Sequence, residues 1–140
     1  MEKNKIQKVN EPIVYLSGVT SLGVIGDPGC EGLGTYNMKV YAGALEKTSE
    51  DDITLIAGDL VPAGNAHYYG EISSLTEVIA HNDIYVLRGN HDTGEYTDYF
   101  GRKNYALFAD GFSVVVLDNS LRTFEQEGLD LLTKVLGMEE

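Results

Sequence analysis

Basic residues are scarce in this chain: 10 Lys and Arg stand against 22 Asp and Glu, for a formal net charge of -12. A surface of that sign repels nucleic-acid phosphates and anionic membranes, so neither a nucleic-acid face nor a membrane role is expected. Cys30 is the single cysteine, which excludes an intramolecular disulfide and fits a reducing compartment. No apolar run approaches the roughly 18 residues that a membrane-spanning helix needs. The polar, Lys-rich start lacks the apolar stretch of a secretory signal. The cytoplasm is the expected location. Nucleotide-binding fingerprints are missing as well. Residues 29–34 are rich in glycine and precede a helical pattern, as phosphate cradles do. They hold neither Gly-x-Gly-x-x-Gly nor a Gly-Lys-Ser/Thr ending.

What is present is one domain's worth of ordinary globular sequence: 140 residues, 43% hydrophobic. There is no internal repeat and no low-complexity tract. Residues 1–11 read as a flexible arm and 12–140 as the folded part. Short apolar runs at 13–16, 22–25, 53–57 and 84–87 read as strands. Runs at 105–108 and 112–117 read as two more, with Ala109-Asp110-Gly111 as a hairpin signal between them. Met38, Tyr41, Ala42 and Leu45 recur at helical spacing, with Asn37 as the expected cap. A second helix is expected over 67–81, with Ile72, Leu75, Val78 and Ile79 inward. A last one is expected over 124–136, with Leu129, Leu132 and Val135 inward. Strands alternating with helices argue for an α/β fold with a mostly parallel sheet.

Such sheets place ligands at the carboxyl ends of their strands. Three expected strands end there in glycine and a polar side chain: Gly26-Asp27, Gly58-Asp59 and Gly89-Asn90-His91-Asp92. Carboxylates such as Asp27 and Asp59, and the amide oxygen of Asn90, suit a hard divalent cation. His91 suits proton transfer near neutral pH. Asp92 is placed to hold His91 in one tautomer. Taken singly, a Gly-Asp pair is equally well a turn or a helix cap. Cys30 reads as an incidental loop cysteine rather than a soft ligand. Tyr68, Tyr69, Tyr96 and Tyr99 are candidate pocket walls or simple packing. His67 and His81 read as surface residues.

Gly58-Asp59 after one apolar strand, and Gly89-Asn90-His91-Asp92 about thirty residues later after another, resemble the calcineurin-like metallophosphoesterases. The resemblance runs over roughly 13–136. It implies a metallophosphoesterase-like α/β sandwich, of which this chain carries the N-terminal half as a partial domain. It also implies two divalent cations (manganese, iron, zinc or magnesium), with Asp59 bridging them and Asn90 holding one. His91 would lie by the phosphate of a phosphomonoester or phosphodiester substrate, with Asp92 beside it. Two such cations lower the pKa of water and offset charge developing on phosphoryl oxygens.

The first family motif, Asp-x-His, admits two registers here. Asp27-Pro28-Gly29 keeps the acidic ligand and puts Gly29 in place of the histidine, with Glu31 as a substitute oxygen. Alignment on Ser17-Gly18-Val19-Thr20 loses both ligands. The family's later histidine motifs have no counterpart before Glu140, so a weak, oxygen-rich metal site is expected. A second copy or a partner chain is the expected cover for the exposed sheet. A binding module without turnover is the competing reading to a hydrolase.

Overall fold

The structure is a computed structural model that describes residues 5–32 and 34–138. It is a mixed α/β fold of two small sheets and four helices. The first sheet is all parallel. It joins β2 (Leu22–Gly26), β3 (Ile53–Ala57) and β4 (Asp83–Leu87) in the order β2-β3-β4. The second joins β1 (Ile13–Tyr15), β5 (Tyr105–Phe108) and β6 (Ser113–Val116) in the order β1-β5-β6. There β1 runs parallel to β5, and β5–β6 is the expected antiparallel hairpin. Gly111 turns it at φ 98°.

Successive side chains of β3 enter opposite cores, and this stacks the layers. Ile56 of β3 faces a core shared with α1 (Tyr36–Thr48), α2 (Ala66–Ile79) and α3 (Tyr96–Phe100), through Met38, Tyr41, Leu45, Tyr69, Ile72 and Phe100. Ile53 and Leu55, on the opposite face, meet Tyr105, Leu107 and Val116 of the second sheet. The outer face of that sheet packs Ala106 against Leu131 and Val135 of α4 (Gln126–Met138). The order of layers is therefore helices, sheet, sheet, helix, with period-2 alternation deciding which core each residue enters. No described helix is long and apolar enough to cross a membrane.

Several local expectations are corrected. Residues 1–4 of the expected arm lie outside the described residues. Residues 5–11, however, are docked. Gln7 N donates to Ile84 O and Ile84 N to Lys5 O, each at 2.8 Å, while Val9 N donates to Phe100 O at 3.1 Å. Ile6 and Val9 are buried. The segment thus covers the free edge of β4, where unpaired backbone groups would otherwise face water. The cap of α1 is Thr35, whose hydroxyl accepts from Met38 N. Asn37 instead donates its amide to Gly29 O at 3.1 Å.

Helices α2 and α4 form where expected, and Ile72, Leu75, Ile79 and Val135 face the core as expected, but other positions differ. In α2 the buried residues are Tyr69, Ile72 and Thr76, and Val78 is 79% exposed. Tyr69 and Thr76 bury because each has a hydrogen-bond partner: Thr93 O for Tyr69 and the Tyr41 hydroxyl for Thr76. In α4 the inward residues are Gly128, Leu131 and Val135, and Leu129 is exposed.

Two glycines in these helices separate propensity from packing. Gly43 of α1 has open space where a Cβ would sit. Gly43→Ala should raise stability by about 0.5–1 kcal/mol, since alanine removes the backbone entropy penalty of glycine. At Gly128 a Cβ would lie 2.7 Å from Asn104 Oδ1, the atom that accepts from Asp118 N at 2.9 Å. Gly128→Ala should therefore lower stability by about 1–3 kcal/mol, as overpacking does. Urea denaturation of the two variants should give midpoints displaced in opposite directions.

Candidate functional site

Register sets the site. Gly26 pairs with Ala57 and Ala57 with Leu87, so β2, β3 and β4 end at one level. The next residues leave side by side. Asp27 and Asp59 take left-handed backbone conformations, with φ 44° and 48°, and Gly58 precedes Asp59 at φ 87°. Non-glycine residues rarely adopt this region, and such strain is held only where surrounding contacts enforce it. Here Gly29 N donates to Asp59 O at 2.9 Å and Cys30 N to Leu60 O at 2.8 Å, tying the two loops together.

The third loop is bound to the second. His91 N donates to Asp59 Oδ1 at 3.0 Å. A Cβ on Gly89 would collide with the backbone nitrogen and carboxylate of Asp59, so only glycine permits this approach. The loop closes on itself through Asp92 N to Gly89 O at 3.1 Å.

Asp27, Asp59 and Asn90 line one open cleft of about 440 Å³ with Gly58, Gly89 and Arg88. Its other wall is Asn119, Ser120 and Arg122, from the connection between β6 and α4. Sequence reasoning did not assign that wall. Nothing in the local pattern signals it, because only the packing of the second sheet on the first brings it over the strand ends. Arg88 joins the two walls: its Nε donates to Asp92 O at 2.9 Å and its Nη1 meets Asp118 Oδ2 at 3.3 Å.

The remaining candidates fall elsewhere. His91 is exposed and does not line the cleft. Its Nδ1 lies 3.1 Å from Pro62 O. A carbonyl only accepts, so Nδ1 carries the proton and Nε2 is left free. Asp92 does not hold this ring. It is fully buried, and its carboxylate accepts from Gly89 N at 2.8 Å and Val61 N at 3.3 Å. Its geometry is that of a loop clamp, which corrects the expected tautomer-setting role.

The alternative motif at 17–20 lies at the opposite end of the sheet. Thr20 N donates there to Asp52, which precedes β3. Only the Asp27 register reaches the cleft. Gly29 is spent on the bond to Asp59 O, and Glu31 is exposed and outside the lining. Cys30 is buried, and burial pushes its thiol up to about 12, so it is an inert core residue. Tyr69 and Tyr96 belong to the core, and none of the four candidate tyrosines lines the cleft. His67 and His81 are exposed.

As a metal site the cleft offers only oxygen. Two carboxylates and one amide oxygen suit a hard divalent cation, with water completing its shell. Among the described residues no group of three His, Cys, Asp or Glu side chains is placed to hold a metal. The strand ends thus present oxygen donors and lack the imidazoles that softer ions prefer.

A family model described as calcineurin-like phosphoesterase matches residues 20–135. That span takes in all three strand ends and the Asn119–Arg122 wall. No curated protein matches the chain.

Burial pushes the Asp92 carboxyl up to about 6, against the pull of the Gly89 and Val61 N–H donors and with a further push from the Asp59 charge. An acid whose folded pKa is raised favours the fold when protonated. That contribution is complete below its ordinary value of 3.8 and is lost as pH rises through about 6. In chelator-treated buffer, wild-type stability relative to Asp92→Asn should fall between pH 4 and 7 by urea denaturation. A difference that stays flat over this window would contradict the buried, unpaired placement.

Proposed function

The chain belongs to the calcineurin-like phosphoesterase family, and on that premise we propose that it hydrolyses a phosphomonoester or phosphodiester in the cleft at the ends of β2, β3 and β4. The observation that carries this reading is the convergence of Asp27, Asp59 and Asn90 on one wall of that cleft. The family is in general metal-dependent. Asp27, Asp59 and Asn90 would hold divalent cations here, with manganese or magnesium favoured by the all-oxygen donor set. Such cations activate water for in-line attack and screen charge on the phosphoryl oxygens.

The chain's own residues supply the rest. Asp59 is fixed by the His91 N–H, so its carboxylate is oriented before any ligand arrives. The Gly58 and Gly89 backbones keep side chains out of the space beside it. His91 commits its Nδ1–H to Pro62 O, so Nε2 must first take up a proton from solvent, and the imidazolium so formed can give that proton to the leaving oxygen. Asp92 and Arg88 keep the loop that carries Asn90 and His91 in place.

One observation favours a second reading, a binding module on the same scaffold: the cleft lining contains no imidazole.

Calorimetric titration of manganese, with an aryl phosphate and an aryl diester assayed in the same samples, separates the two. A hydrolase should show saturable binding and turnover. Asp59→Ala should lose both. His91→Ala should keep metal affinity while the rate falls by about 10²–10⁴-fold, the usual range for general acid–base catalysis. Metal binding without turnover in wild type would leave the binding module standing. Neither binding nor turnover would refute both readings.

A further inference from the structure

The connection between β6 and α4 is built with more care than a linker requires. Asp118 is buried, and its backbone N–H is accepted by Asn104 Oδ1. Its two carboxylate oxygens are used separately: Oδ1 accepts from Ser120 N at 2.9 Å, and Oδ2 meets Arg88. Arg122 N then donates to Asn119 O at 2.8 Å, closing a tight turn. That turn leaves Arg122 at φ 65°, a left-handed conformation that an arginine rarely adopts. The hydroxyl of Ser120 is buried and has no hydrogen-bond partner within the protein. Both residues line the cleft, opposite Asp27 and Asp59.

Among the chain's three arginines, ion pairing sets Arg122 apart. Among the described residues, Arg88 is paired with Asp118, Arg102 with Glu127 and Lys103 with Glu125. Arg122 has no such ion pair, although the chain carries 22 acidic residues. The cleft therefore holds two carboxylates on one wall and, on the other, an uncommitted guanidinium beside an uncommitted hydroxyl.

We propose, building on the phosphoesterase reading above, that Arg122 and Ser120 bind the terminal phosphoryl oxygens of the substrate and that Arg122 selects phosphomonoester dianions over phosphodiester monoanions. The guanidinium fork matches two oxygens of one phosphate, and charge-assisted bonds of this kind are the strong ones. A dianion gains more from that cation than a monoanion does, and it also suffers more from Asp27 and Asp59 if the cation is removed. Selectivity between the two ester classes follows from this one side chain.

Arg122→Gly tests the proposal cleanly, because glycine adopts the left-handed conformation without strain and the variant should melt no lower than wild type. Binding of inorganic phosphate to the manganese-treated protein, followed by calorimetry, should weaken by about tenfold or more, the usual loss for one charge-assisted hydrogen bond. Hydrolysis of an aryl monoester should lose kcat/KM mainly through KM. The diester should lose less, so the monoester-to-diester ratio drops. Arg122→Lys should recover part of the phosphate affinity. Unchanged phosphate affinity in Arg122→Gly, or equal losses for both esters, would overturn the proposal and leave the phosphoesterase reading intact. Phosphate binding that depends on Arg122 in a wild type that hydrolyses neither ester would overturn the phosphoesterase reading while keeping Arg122 as an anion site. A wild type that binds no phosphate overturns the Arg122 proposal.

Discussion

The candidate site depends on one constraint, the in-register ending of three parallel strands. Gly26, Ala57 and Leu87 sit level across β2, β3 and β4. A shift of one residue in any strand would turn its side chains to the other face and displace its terminal loop. Because both faces of this sheet are covered, by helices on one side and the second sheet on the other, such a shift would exchange the two cores. The hydrophobic pattern thus fixes the register, and the register fixes where Asp27, Asp59 and Asn90 emerge. Glycine completes the device: Gly89 lets the Asn90 loop lie against the Asp59 carboxylate, where any larger residue would hold the two apart.

The second sheet supplies what the first lacks. Tyr105 of β5 donates its hydroxyl to Val86 O of β4 at 2.6 Å, and Arg88 reaches Asp118 beyond β6. Both links lie close to the cleft end of β4. The Asp118 carboxylate is almost fully buried, so removing either partner of the pair would leave an uncompensated charge, a costly change in such surroundings. The pair is better understood as a register pin between the sheets than as a source of net stability. It holds the Asn119–Arg122 wall over strand ends that belong to a different sheet.

Much of this was legible in the sequence, and the exceptions have physical causes. Short β-branched runs ending in Gly-Asp or Gly-Asn-His-Asp gave the strands and three of the cleft residues, because buried parallel strands and ligand loops leave strong local signals. Helix phase was less legible. Val78 and Leu129 fit an apolar stripe as well as their neighbours do, and the choice fell to Tyr69, Thr76 and Gly128, whose partners are remote in sequence. The docking of residues 5–11 was hidden for the same reason: two isolated apolar residues, Ile6 and Val9, carry it, and the rest of the attachment is backbone. Asp92 was misread because adjacency to His91 in sequence suggested contact, whereas a tight loop sends neighbouring side chains in different directions. The Arg122 wall could not be read at all from local pattern, since it reaches the cleft only through tertiary packing.

The position of Gly29 connects these features. A histidine would be expected there by family likeness, yet the backbone at Gly29 is left-handed, at φ 51°, and its N–H is bound to Asp59 O. An imidazole-bearing residue would meet strain in that conformation. The same bond helps hold Asp59 in its own strained geometry, so the glycine gives up a ligand and gains a fixed neighbour for the central carboxylate. The consequence is chemical. Were a cation held on this wall, oxygen donors alone would favour a hard ion over a soft transition metal, and more of the work of neutralising an anionic ligand would pass to side chains across the cleft. An unpaired guanidinium placed opposite two aspartates is the arrangement that such a shift requires.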